Sequence, residues 1–358
     1  ENACNFINPI TFETLTGNKC LVDTFDRNFQ FNVEHVSLAK LADIFLVAPA
    51  SADVIGKIAN GIADDMLTTT IMACKCPKLI SPAMNTNMFT NPIVQDNLKK
   101  LEHYGYEIIQ PDSGYLACGD TGAGKMPSEQ VLLNYILRTI AKDKDMAGIK
   151  LTVTAGPTRE KLDPVRFLSN NSTGKMGYAI AKMAMLRGAD VTLISGKVSL
   201  EPVPFVKMVD IVSAEDMYNA VIKSAKDADI IIKAAAVADY RPSDVSDEKI
   251  KKKDGDMSIP LERTKDIIGT LGSSKRDGLF LCGFSMETEH MLDNSKVKLT
   301  KKNLDMIVAN NVKVAGAGFG TDTNVVTVIT KDAVEELPMM SKEEVADALL
   351  DRIMKARQ

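Results

Sequence analysis

Lys150-Leu151-Thr152-Val153-Thr154-Ala155-Gly156-Pro157-Thr158-Arg159-Glu160 is a β-prone apolar run that ends in a small-residue turn. Asn170-Asn171-Ser172-Thr173-Gly174-Lys175-Met176-Gly177 follows, just ahead of a helical pattern. Strand, turn, polar glycine loop and helix, in that order, form the opening of a βα unit whose ligand sits beyond the strand's carboxyl end. Glycines let backbone N–H groups approach an anion, the hydroxyls add donors, and the helix N-terminus adds positive potential. The spacing matches neither the P-loop nor the dinucleotide fingerprint.

Working outward, the same alternation continues. Strands are expected over 150–154, 190–194, 229–234, 279–284, 305–309 and 324–329, with helices over 178–187, 214–225 and 342–356 between and after them. Before residue 150, Ile44-Phe45-Leu46-Val47-Ala48 and Leu79-Ile80 read as buried strands. Val54, Ile55, Ile58, Ile62, Met66 and Leu67 recur at helical intervals between them and predict one connecting helix. The polar stretch Lys142-Asp143-Lys144-Asp145 separates the two series. The expected architecture is α/β, with two doubly wound Rossmann-like domains over residues 1–145 and 146–358, the first of them flavodoxin-like. A chain of 358 residues is longer than one core usually grows, which agrees with two domains.

Composition narrows the function classes. Hydrophobic residues make up 45% and charged residues 25% of the chain, with no apolar run of membrane-spanning length. The net charge of −4 offers no broad basic field for nucleic acid or an anionic membrane. Six scattered cysteines do not read as a disulfide scaffold, so a reducing, cytoplasmic setting is expected. Cys74-Lys-Cys76 lacks a metal or redox spacing. The opening Glu1-Asn2-Ala3-Cys4 has no initiator methionine and no preceding strand with a glycine-rich turn, so an N-terminal piece is expected to be missing.

In the second half, Gly156-Pro157-Thr158-Arg159-Glu160, Asp163-Pro164-Val165-Arg166, the Ser169–Gly177 loop, Ala234-Ala235-Ala236-Val237-Ala238-Asp239-Tyr240, Glu248-Lys249-Ile250-Lys251-Lys252 and Lys301-Lys302-Asn303-Leu304-Asp305 together resemble the bacterial phosphopantothenate–cysteine ligases. The resemblance implies activation of the 4′-phosphopantothenate carboxylate by CTP, as an acyl-cytidylate, followed by attack of the cysteine amine. Mg²⁺ and cationic side chains would control the charge. It places Lys249 at the triphosphate, with Asp239, Ile267 and the backbone around Ala235 holding the nucleotide. Phe284, Lys298 and Lys302 would line its pocket, and Asn170 would handle the activated acyl group with support from Arg166. Read as residues alone, Lys249 belongs to a solvated lysine run, Phe284 to the core, and Asn170 and Asp239 to turns.

In the first half, Pro49-Ala50-Ser51-Ala52-Asp53, Ser81-Pro82-Ala83-Met84-Asn85, the loop Ala117-Cys118-Gly119-Asp120-Thr121-Gly122-Ala123-Gly124-Lys125-Met126 and His35 resemble the FMN-dependent cysteine decarboxylases. The resemblance implies His35 as the active-site histidine, Asn85 on the substrate carboxylate and Cys118 as the thiol needed for the final reduction by the reduced flavin. It places Ser51 and Met84 against FMN, with Asp53 a weaker contact. On residue type alone, His35 and Cys118 read equally as structural groups. The family also implies a homo-oligomer of flavin-domain trimers and ligase-domain dimers, a dodecamer when intact. Two further readings stay open: a ligase joined to a disabled flavin domain, and a non-catalytic nucleotide- or flavin-binding module. A nicotinamide-dependent oxidoreductase lacks its fingerprint here.

Overall fold

The structure is a computed structural model and describes residues 2–24, 34–116, 119–251, 257–286, 291–310, 318 and 320–357. It divides into two compact units, residues 1–141 and 142–358, so the polar stretch 142–145 belongs with the second. Asp145 there pairs with the buried Arg187, which also reaches Asp347 and Asp351.

The elements of the first unit are α1 (Pro9–Thr16), α2 (Glu34–Leu41), β1 (Phe45–Ala50), α3 (Ala52–Ala59), α4 (Met66–Ala73), β2 (Lys78–Pro82), α5 (Thr86–Phe89), α6 (Pro92–His103), β3 (Glu107–Ile108), β4 (Asp112–Tyr115), β5 (Thr121–Lys125) and α7 (Glu129–Ile140). Strands β1, β2 and β3 form a parallel sheet in that order. Alternation along it divides the core: Ile80 packs with Ile55, Ile58, Ile71 and Leu98, whereas Leu79 packs with Leu132 of α7. Strand β1 runs on through Pro49, which lies where the register with β2 shifts, so no ladder bond needs its missing N–H.

The single helix expected between β1 and β2 is two. Asp65 builds a capping box with Thr68 and starts α4 afresh after an irregular segment, which leaves Ile62 47% exposed and Leu67 37% exposed. The apolar period runs across the break without registering it.

The second unit contains β6 (Lys150–Ala155), β7 (Arg159–Lys161), β8 (Phe167–Ser169), α8 (Lys175–Leu186), β9 (Asp190–Ser195), β10 (Lys207–Asp210), α9 (Ala214–Ser224), β11 (Ile230–Lys233), β12 (Tyr240–Pro242), β13 (Leu261–Arg263), α10 (Ile267–Ser273), β14 (Phe280–Met286), α11 (Met291–Lys301), β15 (Met306–Asn310), β16 (Thr323–Asn324), β17 (Val326–Ile329), β18 (Val334–Glu336), β19 (Met340–Ser341) and α12 (Lys342–Ala356). Its main sheet has the order β10-β9-β6-β11-β14-β15-β17-β18, with β17 antiparallel to both of its neighbours, β15 and β18. Ile230 and Ile232 face a core shared with α8 and α12, while Ile231 faces one shared with α9 and α10. Helices therefore cover both faces, as doubly wound strands require. Among the described residues no helix is long and apolar enough to cross a membrane.

Helix α8 enters close beneath β6 at Gly177, where a Cβ would stand 2.6 Å from Ala155 Cβ and 2.8 Å from the Thr154 carbonyl oxygen. Gly177→Ala is expected to destabilise the second unit by about 1–3 kcal/mol through overpacking. Calorimetric melting of the variant checks this.

Candidate functional site

In the second unit the loops leaving β6 and β11 are bonded to each other beyond the sheet. The Ala235 N–H donates to Thr154 Oγ1 at 3.1 Å, the Ala236 N–H to the Gly156 carbonyl at 3.0 Å, and the Ala238 N–H to Thr158 Oγ1 at 3.0 Å. Asn170 Nδ2 donates to the Ala236 carbonyl at 3.1 Å. The fold thus brings Asn170 against the Ala235 segment.

Two cavities open on that segment. Ala235 and Phe284 line one of about 120 Å³, together with the Ser172–Gly177 loop, Lys175, Asn310 and Lys342. Asp239, Ile267 and Lys302 line another of about 320 Å³, together with Lys233 and Asp266. The residues expected in one nucleotide pocket therefore divide between two cavities. Lys302 is ion-paired to Asp266 at 3.0 Å; burial works against Asp266's ionisation, but the Lys302 ammonium and the Gly269 N–H hold its carboxyl below the usual range. Lys298 lies in the last turn of α11 and acts electrostatically on Lys233. In the smaller cavity Asn310 Oδ1 is buried without a partner among the described residues. Burial lowers the pKa of Lys342, which donates to the Gly318 carbonyl at 3.0 Å.

Arg166 works through its neighbours. Its Nε donates to Asp163 Oδ2 at 2.9 Å and its Nη2 to the Ile250 carbonyl at 3.0 Å. Asp163, with a fully buried side chain, also accepts from the N–H groups of Val165, Arg166 and Ile250. The Arg166 guanidinium, aided by these N–H groups, holds the Asp163 carboxyl far below the usual carboxylate range. Lys249 is exposed, and its position follows from this clamp on the adjacent Ile250. Asp163 was quoted above only as part of a motif; the signal for its role is the turn-plus-charge pattern Asp163-Pro164-Val165-Arg166.

In the first unit, β1 and β2 bring their carboxyl ends together, with the Ala83 N–H donating to the Ala50 carbonyl at 3.0 Å. Ser51 caps α3 by accepting from the Val54 N–H. Asp53 faces outward and pairs with Lys57 at 3.5 Å. The β4–β5 hairpin docks here: the Met84 N–H donates to the Gly124 carbonyl at 2.9 Å, and Asn85 Nδ2 donates to Asp120 Oδ2 at 3.2 Å. A Cβ on Gly124 would stand 2.1 Å from the Met84 carbonyl oxygen, so only glycine permits this approach. Ser81 Oγ and Thr86 Oγ1 are buried nearby without partners among the described residues. His35 is half-buried in the first turn of α2, and Cys118 lies outside the described residues.

Polar groups gathered at the carboxyl ends of parallel strands, once in each unit, define a two-domain α/β protein with a candidate ligand site in each unit. Residues 1–141 match the Flavoprotein family, and residues 146–356 match the DNA/pantothenate metabolism flavoprotein C-terminal domain. The chain is 46% identical to the coenzyme A biosynthesis bifunctional protein CoaBC of Bacillus subtilis (strain 168), over 99% of this chain and 88% of that protein. It is 40% identical to the protein of the same name from Haemophilus influenzae, over 99% and 89%. The crystal structure of a CoaBC C-terminal domain covers 60% of this chain and 97% of its own, at 44% identity and a TM-score of 0.51. The chain belongs to the family of bifunctional coenzyme A biosynthesis proteins, and it is a ligase and decarboxylase on one polypeptide.

The Asp163 carboxyl makes a pH-dependent contribution. Its folded pKa is depressed, so its stabilisation is complete above the unfolded value of about 3.9 and is lost as pH falls from there towards the folded value. Asp163→Asn is expected to flatten the acid limb of the stability profile and to speed tryptic cleavage after Lys249 at neutral pH. Acid unfolding curves and mass spectrometry of digests read both.

Proposed function

We propose that the second unit joins cysteine to 4′-phosphopantothenate with CTP, and that the first unit decarboxylates the resulting 4′-phosphopantothenoylcysteine with FMN. The observation that carries the ligase reading is the hydrogen bond of Asn170 to Ala236, which puts an amide donor for an acyl carbonyl beside the nucleotide segment. Asn170 orients the 4′-phosphopantothenate carboxylate towards the α-phosphorus. Lys249, carried on the Asp163–Arg166 clamp, neutralises charge as pyrophosphate leaves. The Ser172–Gly177 loop and the start of α8 offer N–H and hydroxyl donors to phosphate oxygens. The cysteine amine then attacks the acyl-cytidylate, and CMP departs. An Mg²⁺ would be held largely by the triphosphate oxygens, as is usual for this ion with nucleotides.

The first unit fits a flavin at the ends of β1 and β2. Ser81 Oγ and Thr86 Oγ1 are buried donors in need of acceptors, and an unpaired buried hydroxyl costs about 1–3 kcal/mol. Ser51 and the Met84 backbone would hold the ring and ribityl chain. Bound FMN would supply the two-electron oxidation of the substrate thiol that lets CO₂ leave and, as reduced flavin, return the two electrons afterwards. Asn85 grips the substrate carboxylate, His35 moves a proton, and Cys118 serves the final reduction. The β4–β5 hairpin shields the reacting carbon from water.

Assembly into ligase-domain dimers and flavin-domain trimers is part of this reading. Val165, Phe167, Tyr240 and Leu261 lie on or between the β7–β8 and β12–β13 strand pairs, and all are at least 46% exposed, a suitable apolar face for a dimer. Sedimentation of the purified chain as a monomer at micromolar concentration would overturn it.

Pyrophosphate and CO₂ release are measured with 4′-phosphopantothenate, cysteine, Mg²⁺ and CTP, with and without added FMN. Both products are expected, CO₂ only with FMN bound. Lys249→Ala is expected to slow pyrophosphate release about 100-fold while leaving decarboxylation of supplied 4′-phosphopantothenoylcysteine unchanged. Gly124→Ala is expected to do the reverse. Neither product from a folded protein sinks the reading.

A further inference from the structure

The larger cavity of the second unit contains a cation that the sequence pattern does not single out. Lys233 is the last residue of β11, paired in register between Thr154 of β6 and Gly283 of β14, so its backbone is fixed on both sides. Its side chain lines the cavity with Asp239, Asp266 and Lys302. Two other lysines there are committed: Lys302 to Asp266 at 3.0 Å and Lys265 to Glu215 at 2.7 Å. Lys233 is half-buried, and Asp266 and Asp239 are the carboxylates that act on it. Burial pushes its pKa down, the neighbouring Lys302 and Lys298 push the same way, and Asp266 and Asp239 oppose them.

A half-buried ammonium fixed between two buried strands gains from an acceptor on a bound ligand. The two carboxylates on the same walls disfavour a triphosphate in this cavity and favour a ligand portion that carries donors. A nucleoside meets both demands, with sugar hydroxyls and an exocyclic amine for the carboxylates. Cytosine adds what Lys233 requires, a C2 carbonyl beside the N3 acceptor. Adenine has ring nitrogens but no carbonyl, and would leave the ammonium poorly paired.

We propose that Lys233 selects the nucleotide base, donating from the end of β11 to the C2 carbonyl edge of cytosine and so favouring a pyrimidine over an adenine nucleotide. This rests on the reading of the second unit as a CTP-using ligase. A site built to donate to a ligand group rejects the analogue that lacks it more strongly than an apolar pocket can.

The test is Lys233→Gln and Lys233→Met in the full chain, with kcat/KM for pyrophosphate release measured on CTP and on ATP. The CTP-to-ATP ratio is expected to fall at least about tenfold, chiefly through KM for CTP. In the unsubstituted protein KM for CTP is expected to rise with pH across the alkaline range more than KM for ATP, which shares the same phosphate ionisations; K233Q is expected to lose that difference. A ratio within about twofold of the original, in variants with unchanged melting temperature, overturns the proposal. Should both variants misfold, calorimetric titration of CTP and ATP onto the unsubstituted protein decides: equal affinity, or equal pH dependence, overturns it. Should that protein turn over neither nucleotide, the ligase reading fails, and the same titration judges Lys233 separately.

Discussion

The β6–β11 pairing continues past the sheet, and the second unit's chemistry depends on that continuation. Where the ladder ends, Thr154 and Thr158 hydroxyls and the Gly156 carbonyl take up the N–H groups of Ala235, Ala238 and Ala236. Backbone groups at strand ends must find partners or water. Here two loops satisfy each other, and Pro157 and Ala236 form an isolated parallel bridge between them. The result is a stiff, small-residue ridge with a cavity reaching each part of it. Bulkier residues than Ala234, Ala235 and Ala236 would fill the space that a ligand needs, which is why this segment is a run of alanines rather than a continued Ile230–Ile232 strand.

Charge is placed around that ridge by a division of labour. Asp163 and Arg166 neutralise each other and spend their remaining hydrogen bonds on backbone, so they act as a clamp. Lys302 and Asp266 do the same for the start of α10. Lys249 is exposed and Lys233 half-buried beside these pairs. A ligase that must bring two phosphorylated substrates together benefits from this separation. Cations used for scaffolding are thereby neutralised by their own carboxylate partners.

Much of this was legible in the sequence because parallel strands buried on both faces are written as short apolar runs, and 150–154, 190–194 and 305–309 each became a strand within a residue or two. The break between α3 and α4 was not legible, since Ile58, Ile62 and Met66 keep helical spacing across it and only the Asp65–Thr68 cap marks the restart. Ser51, Met84, Asn85 and Ala235 lie just beyond strand ends, whereas His35 is on α2 and Lys298 on α11, and the division of Ala235 and Asp239 between two cavities was hidden. Ala235 and Asp239 are close in sequence, and the fold separates them. Lys233 was hidden for another reason: at the end of an Ile-Ile-Ile run it reads as the strand's solvated edge, and only the register with Thr154 and Gly283 puts it between two buried strands.

Both units fix their reactive loops by close backbone approach more than by side-chain bonds. In the first unit the β4–β5 hairpin is laid on Met84 through a single N–H to carbonyl contact that Gly124 alone permits, and Asn85 and Asp120 meet because of it. In the second, α8 lies close under β6 because Gly177 has no side chain, which sets where the Ser172–Gly177 donors point relative to the β6–β11 ridge. Side chains such as Asn85 and Asn170 are short and carry a single amide, so their reach is small and errors in backbone position cannot be absorbed by a change of rotamer. Catalytic geometry tolerates little misplacement, and a site built from short polar side chains therefore transfers its precision requirement to the glycines beneath it.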